Sequence, residues 1–187
     1  MSNSPTANRE PLSKTLFIEL PLGSVYPEGW LGNQLTIQAN GLTGHLEEIW
    51  DPVGPDSGWL GGTGENWERG PYYCDGLIPL AYLLNAEDLI KRAEKWINWT
   101  LNSQTREGNF GPPNNLDWWP RMVMLKALIQ YYEATSDSRV IEFMWKYFDY
   151  QLKNIEKRPL EGWAMARGAE NIYSIFWLYN KTGESFL

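Results

Sequence analysis

The sequence predicts an all-α fold built from helical hairpins, and three observations carry that expectation. Apolar residues recur at helical spacing in six separate stretches, as at Leu77, Leu80, Ala81 and Leu84. The links joining those stretches alternate between very short and long. The first members of successive pairs start near Gly76, Trp118 and Gly168, about 42 and 50 residues apart. That interval is too long for tetratricopeptide or ankyrin units but suits an array or ring of αα-hairpins.

Taken in order, residues 1–14 are polar, hold two prolines and show no apolar period, so they read as a loose arm. Leu16-Phe17-Ile18-Glu19-Leu20 fits a short strand. From Pro27 onward, Trp30, Leu31, Gln34, Leu35 and Gln38 follow a helix that Asn40-Gly41 stops. Asp51-Pro52, Gly54-Pro55 and Gly61-Gly62-Thr63-Gly64 mark 51–71 as a long loop, whose glycines fit neither the P-loop nor the dinucleotide fingerprint. Gly76 to Leu84 then forms a buried helix. Asn85 is expected to N-cap the next one, which runs through Leu89, Ala93, Trp96, Ile97 and Leu101.

A long connector, Gln104 to Asp117, precedes a helix capped by Asp117, in which Pro120 is harmless because first-turn N–H groups are unpaired anyway. Thr135-Ser136-Asp137 makes a tight link, and Asp137 caps a helix carrying Val140, Ile141, Met144, Trp145 and Phe148. After the connector Ile155 to Arg167, Ile172, Ile175, Phe176 and Tyr179 predict a last apolar face, ended by Gly183.

Composition narrows the function. A net charge of -7 offers nothing to a phosphate backbone or an anionic membrane, so neither nucleic acid nor a membrane is an expected partner. One cysteine, Cys74, excludes an internal disulfide, and one histidine, His45, leaves too few ligands for a Cys/His zinc site. No cofactor is expected in this chain. The polar start Met1-Ser2-Asn3 has neither the basic nor the apolar region of a secretion signal, which favours a cytoplasmic location.

Eleven tryptophans need an explanation. In antiparallel hairpins every short link lies at one end of the bundle and every long connector at the other, so distant stretches meet at one rim. Those stretches carry Glu65, Trp67, Glu68, Arg69, Tyr72, Tyr73 and Asp75, then Asn109, Phe110, Asn114, Asn115, Asp117, Trp118, Trp119 and Arg121, then Trp163, Arg167, Glu170 and Asn171. Sugars need that mixture: their C–H faces stack on indoles, while carboxylate, amide and guanidinium groups match vicinal hydroxyls. Trp67, Arg69, Asp75, Asp117, Trp118, Arg121, Arg167 and Glu170 are therefore the candidate carbohydrate-binding residues.

A structural reading stands beside this one. Tryptophans plug gaps between hairpins, Arg–carboxylate pairs fix loops, and capping alone explains Asp117. Trp96, Trp99, Trp145 and Trp177 lie within helices and read as packing, Cys74 as a core residue, and His45 as a surface or capping group.

Several blocks also resemble a known family. Trp67-Glu68-Arg69-Gly70-Pro71-Tyr72, the run Gly76 to Leu84, Gly108-Asn109-Phe110-Gly111-Pro112, Asp117-Trp118-Trp119-Pro120-Arg121 and Trp177-Leu178-Tyr179-Asn180-Lys181-Thr182-Gly183 are similar to the β-L-arabinofuranosidase-like family, glycoside hydrolase family 127. The resemblance spans roughly 22–187, with 1–21 as an N-terminal arm. It implies an (α/α)6 barrel holding sugar where the long connectors meet, of which this chain supplies the first half. It also implies a zinc-bound Cys thiolate nucleophile and a Glu acid/base, both in a later part of the family domain that nothing here matches. Zinc would belong to the full-length enzyme.

On this basis the chain is expected to be a fragment, or a half that needs a second half-domain or another copy. Many relatives have a His-containing motif where this chain has Asp117-Trp118-Trp119-Pro120-Arg121, as in a divergent branch. Two alternatives stay open: a non-catalytic scaffold gripping a protein or peptide at the aromatic rim, and a complete glycosidase using Asp117 and Glu170 as paired carboxylates.

Overall fold

Helices form where the apolar period runs, and turn chemistry moves their ends. The structure, a computed structural model, describes residues 7–187. Eight α-helices follow one another: α1 Gly29–Asn40, α2 Leu42–Ile49, α3 Arg69–Leu84, α4 Glu87–Asn102, α5 Trp119–Thr135, α6 Arg139–Asn154, α7 Gly162–Ala166 and α8 Gly168–Thr182. Two 3-10 turns, Asp51–Val53 and Gly58–Leu60, break up the long loop between α2 and α3. The fold is all-α, with no strand among the described residues. Leu16 to Leu20, expected as a strand, is irregular and exposed, with no neighbouring strand to receive its backbone groups.

Several boundaries differ from the sequence expectation. α3 starts at Arg69 rather than Gly76, because Pro71 falls in the first turn, where its missing N–H costs nothing. Asn85 does not N-cap α4. It closes α3 in the left-handed region at φ 49°, its N–H donating to the Tyr82 carbonyl at 3.3 Å and that of Ala86 to the Ala81 carbonyl at 3.0 Å. That pairing is a Schellman closure, so the hairpin turns by ending one helix rather than by capping the next. Asp117 and Asp137 stand two residues before α5 and α6, yet each still caps. Their Oδ1 atoms accept the N–H groups of Trp119 and Arg139, both at 3.0 Å.

α3, α5 and α8 lie side by side in one layer, α3 against α5 and α5 against α8. α4 and α6 form a second layer behind them, and α1 and α2 flank α3 on the other side. Aromatic rings fill the interior: Trp59 of the second 3-10 turn, Trp96 of α4, Phe110 of the connector, and Trp118 and Tyr147 at α5 and α6 are all buried. Trp59 also donates from Nε1 to the Trp67 carbonyl at 2.8 Å, tying the loop to the foot of α3. The connector passes over this ring at Gly111, where φ is 85° and a Cβ would stand 2.8 Å from the indole, so only glycine fits.

Much of the tryptophan excess is therefore interior packing. Trp96 is buried as expected, Trp99 meets Trp59 edge-on at 6.3 Å, and Trp177 donates to Glu133 Oε1 at 2.9 Å. α8 departs from its expected face: Asn171, Ser174 and Leu178 are buried, while Ile172 and Phe176 are exposed. Phe176 instead lines a hollow roofed by Phe17 and Ile18 of the arm. The arm is fastened to α8, the Arg9 N–H and Nε donating to Asn180 at 2.9 and 2.7 Å. No described helix is long and apolar enough to cross a membrane.

Candidate functional site

Short links at one end force the starts of α3, α5 and α8 together at the other, and side chains cross between them there. Trp67, just before α3, donates from Nε1 to Asp117 Oδ2, fifty residues along the chain, at 2.8 Å. Its ring meets Trp119 edge-on at 5.2 Å. Trp163 of α7 stacks on Trp119 with centroids 5.7 Å apart and planes 28° from parallel. The Arg167 guanidinium lies 6.0 Å from the Trp119 ring and 5.9 Å from that of Trp163, and pairs with Glu170 at 3.8 Å. Tyr72 of α3 completes the cluster, edge-on to Trp119 at 5.9 Å.

This mouth is an aromatic step edged with charge. Trp119 forms its buried floor, and Trp163 is 54 % exposed above it. The Trp119 Nε1 donor and the Glu65 Oε2 acceptor are buried without a hydrogen-bond partner, although leaving such groups unmade costs about 1–3 kcal/mol each. The Tyr72 phenol is pushed above its usual range, first by burial and then by the negative charge of Glu170. Three converging helix N-termini add positive partial charge, which suits the carboxylates of Glu68, Asp117 and Glu170.

The sequence candidates divide into two groups. Trp67, Arg69, Asp117, Arg167 and Glu170 stand at or beside this mouth. Within it, Asp117 has both oxygens engaged, by the Trp67 indole and the Trp119 backbone, so it braces the rim. Arg69 pairs with Glu65 at 3.5 Å and with Glu68 at 3.8 Å. Asp75, one turn further along α3, is held by Lys126 and Gln130, both at 3.0 Å, in a link to α5.

Trp118 and Arg121 are corrections. Trp118 points inward, donates to the Arg158 carbonyl at 2.8 Å, and is covered by the Arg158 guanidinium 3.7 Å from its ring. Arg121 is fully buried and gives three hydrogen bonds, to Asn109 Oδ1 at 3.0 Å and to the Asp117 and Asn115 carbonyls at 2.7 Å each. Burial lowers its pKa, and its work is to clamp the connector onto α5. Neither presents an atom to a ligand at the mouth. Phe110 and Asn115 of the rim set are likewise buried. Arg158 was missed, because a cation in a polar connector carries no sign of what it will cover.

Zinc chemistry finds no footing in these residues. Cys74 is buried and its thiol is pushed well above the usual range by desolvation, so it is neither a ready thiolate nor accessible. His45 is exposed and bonded to Glu48 at 3.0 Å. Among the described residues no three His, Cys, Asp or Glu groups are placed to hold a metal ion. The glycines at 61–64 wrap the Asp56 carboxylate, which accepts the Thr63 N–H at 2.9 Å, so a phosphate would meet like charge there.

No curated protein and no solved structure matches the chain significantly. A family model described as β-L-arabinofuranosidase, GH127 catalytic domain, matches residues 47–187, from the end of α2 onward. That match takes in the whole of the mouth and well over half of the sequence, and the chain accordingly belongs to the GH127 catalytic-domain family of glycoside hydrolases.

Proposed function

We propose that the chain forms the sugar-binding part of a GH127-type site, taking a non-reducing-end β-L-arabinofuranoside or a similar plant-type glycan at the mouth between α3, α5 and α8. The observation that supports this is the Trp67–Trp119–Trp163 step with the Arg167–Glu170 pair beside it. A furanose has an apolar face for the exposed Trp163 ring and hydroxyls for the guanidinium and carboxylate. In this reading residues 22–187 are part of an (α/α)6 ring, α3, α5 and α8 lining its interior and α4 and α6 backing them.

Bond cleavage is not assigned to these side chains. Cys74 lacks access, and the carboxylate of Asp117 is already spent on two N–H groups. The nucleophile, the acid/base and any zinc that serves them are placed in a further part of the catalytic domain or in a partner half.

The test is a calorimetric titration with methyl β-L-arabinofuranoside, comparing the protein with Trp163→Ala. Loss of the exposed ring is expected to weaken binding about two- to tenfold, in line with about 0.5–1.5 kcal/mol for an aromatic stacking contact, with the melting temperature almost unchanged. Equal affinities would remove Trp163 from the site. The second reading, a scaffold for a peptide, is favoured by Met165, which is 69 % exposed next to Trp163. It predicts heat with peptides and none with any saccharide.

A further inference from the structure

Away from the mouth, the N-terminal arm lies against α5 and α8 over a hollow of about 350 Å³. Volumes of about 300–1,000 Å³ are usual for sites that enclose small organic ligands. Four aromatic rings line it, Phe17 from the arm and Tyr173, Phe176 and Trp177 from α8, together with the carboxylates of Glu19 and Glu133. The polar groups that could serve a neutral ligand are largely engaged. Asn180 Oδ1 accepts the Arg9 N–H at 2.9 Å, and its Nδ2 donates to Asn8 Oδ1 at 2.8 Å. Glu133 Oε1 accepts from the Trp177 indole at 2.9 Å and pairs with the Lys181 ammonium at 2.9 Å. The Arg9 guanidinium is spent on the carbonyls of Asn180 and Lys181, at 2.7 and 3.3 Å. Glu19 differs: it is exposed and makes no hydrogen bond or ion pair with a described residue.

We propose that this hollow binds a small organic cation, a quaternary ammonium group seated among the four rings with Glu19 as its counter-charge. The inference does not depend on the reading of the mouth, with which the hollow shares no residue. Aromatic faces attract a cation through their quadrupole and give a neutral group of the same shape only contact area. A quaternary ammonium has no N–H to satisfy, which suits walls whose amides are already bonded; a saccharide would find few free partners there. The chain uses the same chemistry once already, since Lys181 Nζ lies 5.2 and 5.4 Å from the Tyr132 and Trp177 rings while it pairs with Glu133. That pairing offsets one negative charge, so attraction of a ligand falls to Glu19. The surrounding field agrees: the Tyr173 phenol is pushed up to about 12, first by burial and then by the negative charge of Glu19, Glu133 and Asp75.

The experiment titrates the full chain with choline and with 3,3-dimethylbutan-1-ol, its neutral isostere, and follows the NMR shift of the Trp177 indole N–H. Choline is expected to bind at least tenfold tighter than the alcohol. Glu19→Gln, which breaks no bond to a described residue, is expected to weaken choline at least threefold and to leave the alcohol within twofold. Phe176→Leu keeps the apolar bulk, removes the ring and is expected to do the same. Equal affinities for choline and the alcohol, or a choline affinity that survives both substitutions, overturns the site, as does a Trp177 resonance that choline does not move. A shift caused by methyl β-L-arabinofuranoside and not by choline overturns it too, by placing a saccharide in the hollow. With N-acetyl-trimethyllysine amide as a further probe, tighter binding than choline makes the cation a protein side chain, and weaker binding makes it a free small molecule.

Discussion

Trp118 and Trp119 are adjacent in sequence and do different work, a distinction set by where α5 begins. Successive helix residues point about 100° apart, so at the start of α5 the Trp118 ring turns inward under Arg158 while that of Trp119 turns toward Trp67 and Trp163. The types of residue at the rim were legible in the sequence: indoles, carboxylates and guanidinium groups do gather there. Which of them would line the mouth was not, since adjacent indoles are equally apolar and the helical period does not tell which of the two turns inward. Arg121 shows the same limit, because a guanidinium suited to hydroxyls is equally suited to three backbone and amide oxygens. The consequence is measurable at Trp118. Replacing it by alanine removes a buried ring, its bond to the Arg158 carbonyl and the surface on which Arg158 lies, so a loss of about 3–5 kcal/mol is expected in urea denaturation. Substitution at the exposed Trp163 should barely move the same curve.

Hairpins are the element that the sequence described best, because amphipathic helices of 15 or more residues carry enough turns to show their period. α7 has five residues and α2 has eight, too few for a period to emerge, and Gly41 reads as a break just before α2. The tight links were expected where they are, but for the wrong partner: Asn85 ends α3 instead of starting α4. Its φ of 49° costs an ordinary L residue about 1–2 kcal/mol, a cost that asparagine lowers and glycine avoids. Asn85→Ala is thus expected to destabilise the chain by about 1 kcal/mol and Asn85→Gly to leave it nearly unchanged, measured as the shift of the denaturation midpoint at constant slope. An N-capping role would rank the two substitutions the same way, but its loss would fall on α4 alone in hydrogen exchange rather than on the end of α3.

Over the whole molecule, the alternation of short and long links announced the hairpins and the common rim, although six helices were expected and the described residues form eight. Neither the turned face of α8 nor the strapping of the arm across it could be read, since both depend on contacts between opposite ends of the chain. The end of the bundle away from the mouth is held by charge. Arg139 grips the Asp137 carboxylate through Nε, at 3.0 Å to each oxygen, and through Nη2 at 2.6 Å, while Nη2 also reaches Asn98 Oδ1 of α4 at 3.1 Å. Tyr131 of α5 donates to the same carboxylate at 3.3 Å. The hydrogen bonds from Arg139 hold the Asp137 carboxyl below its usual range, so the folded state binds this proton less readily than the unfolded chain. A lowered carboxyl pKa contributes stability above the unfolded value of about 3.9, and that contribution fades as pH falls through the folded value. Asp137→Asn should therefore melt at a lower temperature than the parent chain at pH 7, and the two melting curves should converge as the pH is taken from about 4 toward 2. Equal melting temperatures at pH 7 would mean that Asp137 acts through its capping bond to the Arg139 N–H, which an asparagine oxygen also makes, and that the ion pair at this end of the bundle adds little.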